Sequence, residues 1–510
     1  MPIKQYPPVW VFRAKVAAFV RPSSATVAED AEISDIVKAL SKGVSHVAVC
    51  RSDGSLVTTV DSYAVMGWLA RGLEMGERLP LLPVTPTATI AADQSIFFAL
   101  LSMISQNRPS LLVVDGHGRF LGEIAREQIL ARVAGVIWDV AAAGAAAPSE
   151  SGSGNQDFAA MRRCQTEIVS DMLADDIPAE AILAMITEIN NEVHRRVLSD
   201  VVEGLESDGW GKPPMPFSLL VLGSGGRQEN LLDPDQDNAI VIAEPDDVDR
   251  LPTETYFIEL AERLCSALAA NGFAYCKGNM MATSPVWRKT SGEWRAQVRS
   301  WVRKKEPVLL MNCDTLLDMA HVAGTEQLAV ELHRYLLDMV RCEPGFLRAL
   351  YSIEENHSVG LDWLGRLAGE KNDFGFIAEV NLKLKGMLPL IEGVRLLAVG
   401  AGLSETSTTE RLGRLAALGV LGRETTEGLI DAFRTITVRL LQHQINMRST
   451  PATSSIRVAH YSLTRSERSA LRVALRRVDR FRSQLPAALE DVALRSNRSP
   501  LKLGKPVAAK

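Results

Sequence analysis

The pattern of hydrophobic and polar positions repeats within the first 135 residues. Residues 28–40 match residues 91–103 at an offset of 63, and the apolar stretch that follows each of them matches at an offset of 64. Each copy then passes through a glycine, Gly54 or Gly118, into a second apolar stretch. The spacing predicts helix, strand, glycine turn, strand and helix in each copy. We therefore expect a duplicated unit of about 60 residues per copy.

The periodicity changes after a segment of small residues. Residues 141–155 are rich in Ala, Gly and Ser and contain no aromatic or branched side chain, which is typical of a linker. Residues 158–205 carry apolar side chains at helical spacing, and the interruption at Pro178 predicts two helices. The run FSLLVL at 217–222 predicts a buried strand, and a second strand is expected at 239–242.

Long helical patterns return after residue 324. Segments such as QLAVELHRYLLDMV and LIDAFRTITVRLLQHQI place apolar residues three and four apart, with almost no strand pattern, so an all-helical domain is expected. We place the boundaries at 12–138 for the duplicated unit, 139–156 for the linker, 157–323 for an α/β domain with N-terminal helices, 324–495 for the helical domain and 496–510 for a basic tail.

The composition fits a globular protein of about three domains. The 510 residues are 46% hydrophobic and 23% charged, which excludes general disorder. A net charge of -5 argues against a protein that coats nucleic acid. No apolar run reaches the roughly 20 residues that span a bilayer, and the N-terminus lacks a signal-peptide pattern, so a cytoplasmic location is expected. The six cysteines form no CxxC pair, which favours buried free thiols over a zinc site.

The segment LLVLGSGGRQENLLDPDQDNAIVI combines two features of a phosphate-binding site. Its first strand runs into Gly223–Gly226, where glycines let the backbone turn sharply and bring N–H groups close to an anion. A short helix expected over 227–232 would direct its N-terminus and the Arg227 guanidinium to the same place. An isolated glycine turn is more often a purely structural turn, so the second feature decides the interpretation.

Asp235 and Asp237 are the second feature. They enter the next strand two residues apart, so both carboxylates are expected on one face. Such close negative charges repel unless a cation lies between them, and Mg²⁺ prefers oxygen ligands of this kind. Together the two features indicate metal-assisted phosphoryl or nucleotidyl transfer. Solvated turn carboxylates are the alternative interpretation.

The order GS, GRxE and DxD before an apolar strand resembles the nucleotidyltransferase superfamily that includes DNA polymerase β and the protein-PII uridylyltransferases. The string GSGGRQENLLDPDQDNA is most similar to bacterial signal-transduction nucleotidyltransferases that begin with a tandem CBS (cystathionine β-synthase) pair. The resemblance covers nearly the whole chain. It implies a multidomain α+β protein with a tandem CBS pair, a polymerase β-like nucleotidyltransferase α/β domain and an all-helical C-terminal domain.

The resemblance also implies roles for individual residues. Asp235 and Asp237 would bind the metal ions, and a third carboxylate, Asp318 or its rival Asp314, would help to activate an acceptor hydroxyl. Where the family carries Arg two residues after the third carboxylate, this chain has Ala320, which leaves activity or substrate choice open. The nucleotide-binding residues would be Gly223, Ser224, Gly225, Gly226, Arg227 and Glu229. Of these, Arg227 and Glu229 either touch phosphate, brace the loop or simply pair with each other.

CBS pairs are often sensors of adenine nucleotides and hold the ribose with an Asp at the start of the last helix. This chain has Ala64 and Gln128 at the two corresponding positions. Association of copies or packing is therefore favoured over nucleotide binding at the CBS pair, and a homodimer is a modest expectation.

The expected function is transfer of a nucleoside monophosphate from a nucleoside triphosphate to an acceptor hydroxyl on a regulatory protein, with Mg²⁺ as cofactor and the CBS pair as regulator. Asp235, Asp237 and Asp318 would be the catalytic residues. No nucleic-acid or membrane partner is expected. A non-catalytic signalling scaffold that senses a ligand is the alternative.

Overall fold

The structure is a computed structural model in which the chain divides into two compact units, Met1–Val140 and Ala141–Lys510. It describes residues 15–21, 25–41, 44, 46–78, 88–94, 96, 99, 102–103, 108, 110–126, 128–129, 165–174, 176–246, 249–343, 345–355, 357–371, 377–448, 456–459 and 462–498. The expected linker at 139–156 and residues 499–510 of the expected tail lie outside these residues.

The first unit contains the repeat that the sequence predicts. Its elements are β1 Thr26–Ala28, α1 Ile33–Leu40, β2 His46–Cys50, β3 Leu56–Asp61, α2 Ser62–Ala70, β4 Thr89–Ala91, β5 Ser110–Val114 and β6 Phe120–Ala125. In each copy two parallel strands are followed by an antiparallel partner, in the orders β1-β2-β3 and β4-β5-β6. Equivalent strands begin 63 or 64 residues apart, and the register shift at Val49/Cys50 recurs at Val113/Val114.

Apolar side chains from α1 and the strands form the core of the first copy. Ile33 and Ile36 on α1 are completely buried, together with Val47, Val49 and Val60 from the strands. The three-residue and two-residue spacings of these positions are those of a helix face and a strand face, so the predicted periods are confirmed here.

The α/β part of the second unit is built on a four-stranded sheet. Residues 165–174 are helical. The elements that follow are α3 Ala179–Ser207, β7 Phe217–Val221, α4 Gly223–Gly226, β8 Asp235–Gln236, β9 Asn238–Ile242, α5 Arg250–Ala270, β10 Ala274–Tyr275, β11 Arg288–Thr290, α6 Ser291–Lys304, α7 Pro307–Leu316 and β12 Ala320–Gly324. The strand order is β11-β9-β7-β12, with β7 antiparallel to β9 and to β12. A separate parallel pair joins β8 to β10.

The two central strands place the ends of two loops side by side. All residues of β7 and β9 are buried, which explains why both give continuous apolar runs. Val221 at the end of β7 pairs with Asn238 at the start of β9. Trp294 of α6 is buried against β9 and donates its Nε1–H to Ile240 O at 3.0 Å. The residues after β7 and before β9 therefore meet at one firmly packed end of the sheet.

The remainder of the second unit is helical, as predicted, apart from one small sheet. Its elements are α8 Glu326–Cys342, α9 Phe346–Glu354, β13 Glu370–Lys371, β14 Ile377–Asn381, a π-helical turn Lys383–Met387 that continues into α10 Leu388–Gly400, α11 Thr408–Ala417, α12 Arg423–Arg448, β15 Arg457–Ala459 and α13 Arg465–Arg498. β14 pairs antiparallel with β13 and with β15. The expectation of an all-helical domain is wrong in this detail, because strands of two to five residues are too short to give a visible alternation.

Helix α10 lies in the interior of the helical region. Residues 389–399 are all buried. Glu392 and Arg395 are among them, and charges in such a position need partners.

Within the described ranges, no helix is both long and apolar enough to cross a bilayer. Cys50, Cys265, Cys276, Cys313 and Cys342 are free thiols, of which Cys265 and Cys313 are buried. The sixth cysteine lies outside the described residues.

We expect Gly324→Ala to lower the free energy of unfolding by about 2 kcal/mol or more, because backbone strain and a steric clash add. Gly324 has φ +90°, and a Cβ there would lie 2.2 Å from Phe217 O. Chemical denaturation of the full chain measures the change. Gly204→Ala is the control, since a Cβ at this position in α3 meets nothing within 4 Å and alanine favours helix. Equal destabilisation by both substitutions would contradict the analysis.

Candidate active site

The glycine turn after β7 is shaped by close backbone packing. Gly223 has φ +56°, which favours glycine. A Cβ at Gly226 would lie only 1.9 Å from Asp318 O, and one at Gly225 would lie 3.1 Å from Val221 Cβ. The glycines are therefore required by the approach of the turn to β7 and to the residues before β12.

The turn leaves two amides available for an anion. Gly223 and Ser224 are the first residues of α4, and neither N–H donates a hydrogen bond to any residue that the structure describes. The Ser224 hydroxyl donates to Asn230 Oδ1 at 2.9 Å. The helix expected over 227–232 does not form, since the helical turn is made by the glycines and Gln228 has φ +59°.

Asp235 and Asp237 lie beside this turn. Gln236 between them is buried on the other side, where its Nε2 donates to Cys265 O and Phe273 O at 2.9 and 3.0 Å. The Leu222 N–H donates to Asp237 O at 2.9 Å, which joins the acidic segment to the start of the turn. A Cβ at Gly223 would lie 3.7 Å from Asp237 Oδ2. The structure thus brings together the two motifs that the sequence separates by about ten residues.

The carboxylate of Asp237 is only partly satisfied. Its Oδ1 is shielded from solvent and has no hydrogen-bond partner in the described part of the chain. Burial raises the pKa of Asp237, and the charge of Asp235 adds to this, while the Cys276 thiol and the Lys383 ammonium act in the opposite direction. Burial and the contact with Asp237 raise the pKa of Cys276 to about 11. The site therefore has a shortage of positive charge.

Arg227 and Glu229 are occupied by protein groups. Arg227 Nε donates to Glu229 Oε2 at 2.7 Å, and its Nη1 donates to Asp318 Oδ2 at 2.8 Å. Glu229 Oε1 accepts the N–H of Thr408 at 2.7 Å. In addition, Thr406 Oγ1 donates to Gly226 O at 2.8 Å. Of the interpretations left open by the sequence, pairing of Arg227 with Glu229 and bracing of the loop both agree with this geometry.

Asp318 is completely buried and is surrounded by three arginines. Besides Arg227, Arg395 Nη1 lies 2.5 Å from Oδ2 and Arg411 Nη1 lies 2.7 Å from Oδ1. Burial alone would raise the pKa of Asp318, but the three guanidinium groups hold it well below its usual range. The carboxylate is therefore ionised and held by the fold.

The expected role of Asp318 in activating an acceptor hydroxyl does not fit this environment. Among the described residues, no three His, Cys, Asp or Glu side chains lie close enough together to hold a metal ion, so Asp318 does not join Asp235 and Asp237 in such a group. The rival Asp314 is engaged with Arg395. Both candidates for the third carboxylate thus belong to a buried charge network.

This network continues into the helical region. Arg395 also lies 3.5 Å from Glu354 Oε1, and Arg482 Nη1 lies 3.6 Å from Glu392 Oε2. Burial raises the pKa of Glu354 well above its usual range, and it also raises the pKa values of Asp314 and Glu392. Because of this burial, the carboxyl groups of Asp314, Glu354 and Glu392 hold protons more tightly than they would in water, in contrast to Asp318.

Four residues of the site and its network are absent from the sequence-based predictions. The Cys276 thiol hydrogen-bonds Asp237 and the Lys383 charge acts on the same carboxylate, and the fold brings both residues there. Arg395 could have been identified from the sequence, because a charge within the apolar run of α10 requires a partner of opposite charge when it is buried. Arg411 lies on a short amphipathic helix, where such residues are usually solvated.

Three family models match this chain. Residues 163–308 match the model described as "Putative nucleotidyltransferase DUF294". This segment is therefore nucleotidyltransferase-like. Residues 344–488 match "Putative nucleotidyltransferase substrate binding domain", and residues 81–135 match "CBS domain". The glycine turn and the acidic pair lie in the nucleotidyltransferase domain, and Lys383 lies in the substrate-binding domain.

Several solved CBS structures are similar to about a quarter of the chain. A CBS domain pair/ACT domain protein from Thermotoga maritima is 19% identical, covers 24% of this chain and 96% of that chain, and has a TM-score of 0.21. A CBS domain protein from Pyrobaculum aerophilum, complexed with AMP, is 18% identical, covers 24% and 99%, and also has a TM-score of 0.21. Scores of this size carry no conclusion about ligand or activity. A comparison with curated proteins finds no match.

We expect Asp318→Asn to destabilise the second unit by about 3–5 kcal/mol, because it removes the only negative charge that all three arginines share. The free energy of unfolding is measured by chemical denaturation at neutral pH. Asp338→Asn, on the exposed side of α8, is the matched control and should change stability by less than about 0.5 kcal/mol. Similar losses in both variants would contradict a central role for Asp318.

Glu354→Gln should change the pH dependence of the free energy of unfolding. Because the folded-state pKa of Glu354 is raised, wild-type stability falls as pH rises from the unfolded-state value towards the folded one. The variant lacks this titration, so its stability relative to wild type should rise with pH by up to about 1.4 kcal/mol per unit above pH 5. Melting temperatures of both proteins between pH 5 and 8 measure the difference. A pH-independent difference would be inconsistent with a raised pKa.

Proposed function

We propose that this chain is a Mg²⁺-dependent nucleotidyltransferase that transfers a nucleoside monophosphate from a nucleoside triphosphate to a hydroxyl group of an acceptor protein. The observation that carries the proposal is the contact between the glycine turn and the acidic pair, where a Cβ at Gly223 would lie 3.7 Å from Asp237 Oδ2. Two amides suited to phosphate thus lie beside two carboxylates suited to a divalent cation. The family match over 163–308 supports the reaction class.

The donor set fits Mg²⁺. Asp235 and Asp237 lie close enough for the charge of one to raise the pKa of the other, and Asp237 Oδ1 lacks a partner in the described part of the chain. Mg²⁺ is commonly held by one or two carboxylates together with substrate phosphates and waters, so two protein ligands suffice. When bound, the ion would neutralise charge on the triphosphate.

The other residues of the site would bind and orient the triphosphate. The N–H groups of Gly223 and Ser224 would donate to phosphate oxygens, and Lys383 would add positive charge from the substrate-binding domain. The acceptor hydroxyl oxygen would form a bond to the α-phosphorus, while the bond to the bridging oxygen breaks and pyrophosphate leaves. We assign Asp318 to positioning of the glycine turn, not to this step.

A regulatory protein is the acceptor that we propose, since the glycine and acidic motifs resemble those of protein-PII uridylyltransferases. UTP is accordingly the first nucleotide to test. For the CBS pair we propose regulation through association of copies. In the first copy Asp61 precedes α2 and its Oδ1 accepts the Ala64 N–H at 2.8 Å, and in the second copy Gln128 Oε1 accepts the Ala125 N–H at 3.0 Å, so both side chains are engaged by the backbone.

A non-catalytic scaffold is the second candidate. Two observations favour it: both candidates for a third carboxylate are bound by arginine, and Ala320 replaces the expected arginine. Asp237 opposes it, because this carboxylate lies beside the charge of Asp235 and has a shielded oxygen without a partner in the described part of the chain, which is costly to keep without a ligand.

Calorimetric titration of the full chain with a non-hydrolysable UTP analogue and Mg²⁺ distinguishes the two candidates. For a transferase we expect Mg²⁺-dependent binding that weakens at least tenfold, or by about 1.4 kcal/mol, in the Asp235→Ala/Asp237→Ala variant. Asp246→Ala is the matched control, because Asp246 is exposed and follows the opposite end of β9.

Each outcome has a distinct meaning. Binding that survives in the double variant would place the nucleotide elsewhere and contradict the proposed site. Absence of binding in the wild-type chain, repeated with ATP, GTP and CTP analogues, would favour the scaffold. A loss in Asp246→Ala equal to that in the double variant would indicate a general effect of charge.

A further inference from the structure

One tryptophan of the helical region is almost completely exposed to solvent. Trp363 is 89% exposed and the adjacent Leu364 is 48% exposed. Both lie in the turn Asp362–Arg366 between α9 and β13. Two large apolar side chains at one point of the surface are typical of an interaction site rather than of the ordinary scatter of apolar residues.

The turn is held firmly in place. Asp362 Oδ1 accepts the N–H groups of Leu364 and Arg366 at 2.9 and 2.8 Å, and Asp362 Oδ2 accepts Arg366 Nε at 2.8 Å. Two backbone bonds, from Asp362 N to Arg366 O and from Gly365 N to Asp362 O, close it at 2.8 Å each. A turn whose backbone is already ordered in this way loses less conformational entropy on binding.

The turn lies against a row of arginines. Arg476 Nη2 of α13 donates to Gly365 O at 3.2 Å. Arg468, Arg472, Arg476 and Arg480 recur at every fourth residue of this helix, so they follow one side of it for about 18 Å. The structure pairs none of these four with a carboxylate in the described part of the chain. Glu467 and Asp479 adjoin the row in sequence, and Glu467 is paired with Arg439.

The same turn is connected to the candidate active site. Gly360 N, just before the turn, donates to Lys385 O at 2.8 Å. Lys385 belongs to the π-helical turn that begins at Lys383, whose charge acts on Asp237. A partner bound at the tryptophan would therefore stand near the substrate-binding side of the site.

We propose that Trp363, Leu364 and the arginine row form a docking surface for an acidic helical segment of a partner protein. Carboxylates spaced four residues apart on that segment would match the arginine row, and an apolar residue would pack on Trp363. The apolar Leu364 beside the tryptophan favours a protein with an apolar side chain over a nucleic acid. The docking surface does not depend on the proposed transfer reaction, but identification of the docked protein as the acceptor does.

Selection from a displayed library of random 16-residue peptides on the full chain tests the surface without a known partner. We expect enriched peptides to carry Asp or Glu at four-residue spacing together with an apolar residue. Their dissociation constants, measured by fluorescence anisotropy, should rise at least tenfold for Trp363→Ala and for Arg468→Glu/Arg480→Glu. Trp210→Ala, which removes another exposed tryptophan, is the control and should leave binding unchanged.

Four results would overturn the proposal. Enriched peptides could be basic or neutral, or acidic peptides could bind Trp363→Ala as tightly as wild type. A 16-nucleotide single-stranded DNA that binds in a Trp363-dependent manner, without any enriched peptide, would assign the surface to nucleic acid. A change of oligomeric state in Trp363→Ala, measured by sedimentation velocity, would assign it to a second copy of the chain. UTP-analogue binding, measured separately, reports on the proposed function alone.

Discussion

The arrangement of the second unit depends on one ionised carboxylate and its three guanidinium partners. Asp318 receives Arg227 from the residues after the glycine turn, and Arg395 and Arg411 from two helices of the substrate-binding domain. The backbone of Asp318 also packs directly on Gly226. One side chain thus connects the loop proposed to bind phosphate, the edge strand of the sheet and the helices that complete the site.

This interaction is strong because opposite charges lie within ion-pair distance of one another. Burial of a charge costs several kcal/mol, which the attraction offsets only when every group is paired. Three arginines on one carboxylate leave an excess of positive charge, and the neighbouring Asp314, Glu354 and Glu392 compensate for it. Because burial raises the pKa values of these three carboxyl groups, the network can adjust its charge by holding protons. The network can therefore contain Asp314, Glu354 and Glu392 in addition to Asp318 without an excess of buried negative charge.

Local patterns in the sequence predict much of this fold. The repeat at 63–64 residues, the strands β7 and β9, and the approach of the glycine turn to the Asp235 and Asp237 segment all depend on neighbours a few residues apart. The role of Asp318 could not be predicted, since its partners Arg227 and Arg395 are 91 and 77 residues away. The helix expected over 227–232 fails for the same reason: Arg227 and Glu229 are drawn into long-range contacts that a helix would prevent.

The two bonds from Thr406 and Thr408 to the glycine loop bear on how such a protein can change during evolution. Thr406 binds the carbonyl of Gly226, and the Thr408 amide binds Glu229. The helical region therefore supplies part of the wall that fixes the loop. Gene fusion could add or remove the CBS unit without disturbing these bonds, but exchange of the helical region alone would leave the loop without its support. Preservation of these bonds therefore requires the last two regions of the chain to change together, although family comparisons divide them.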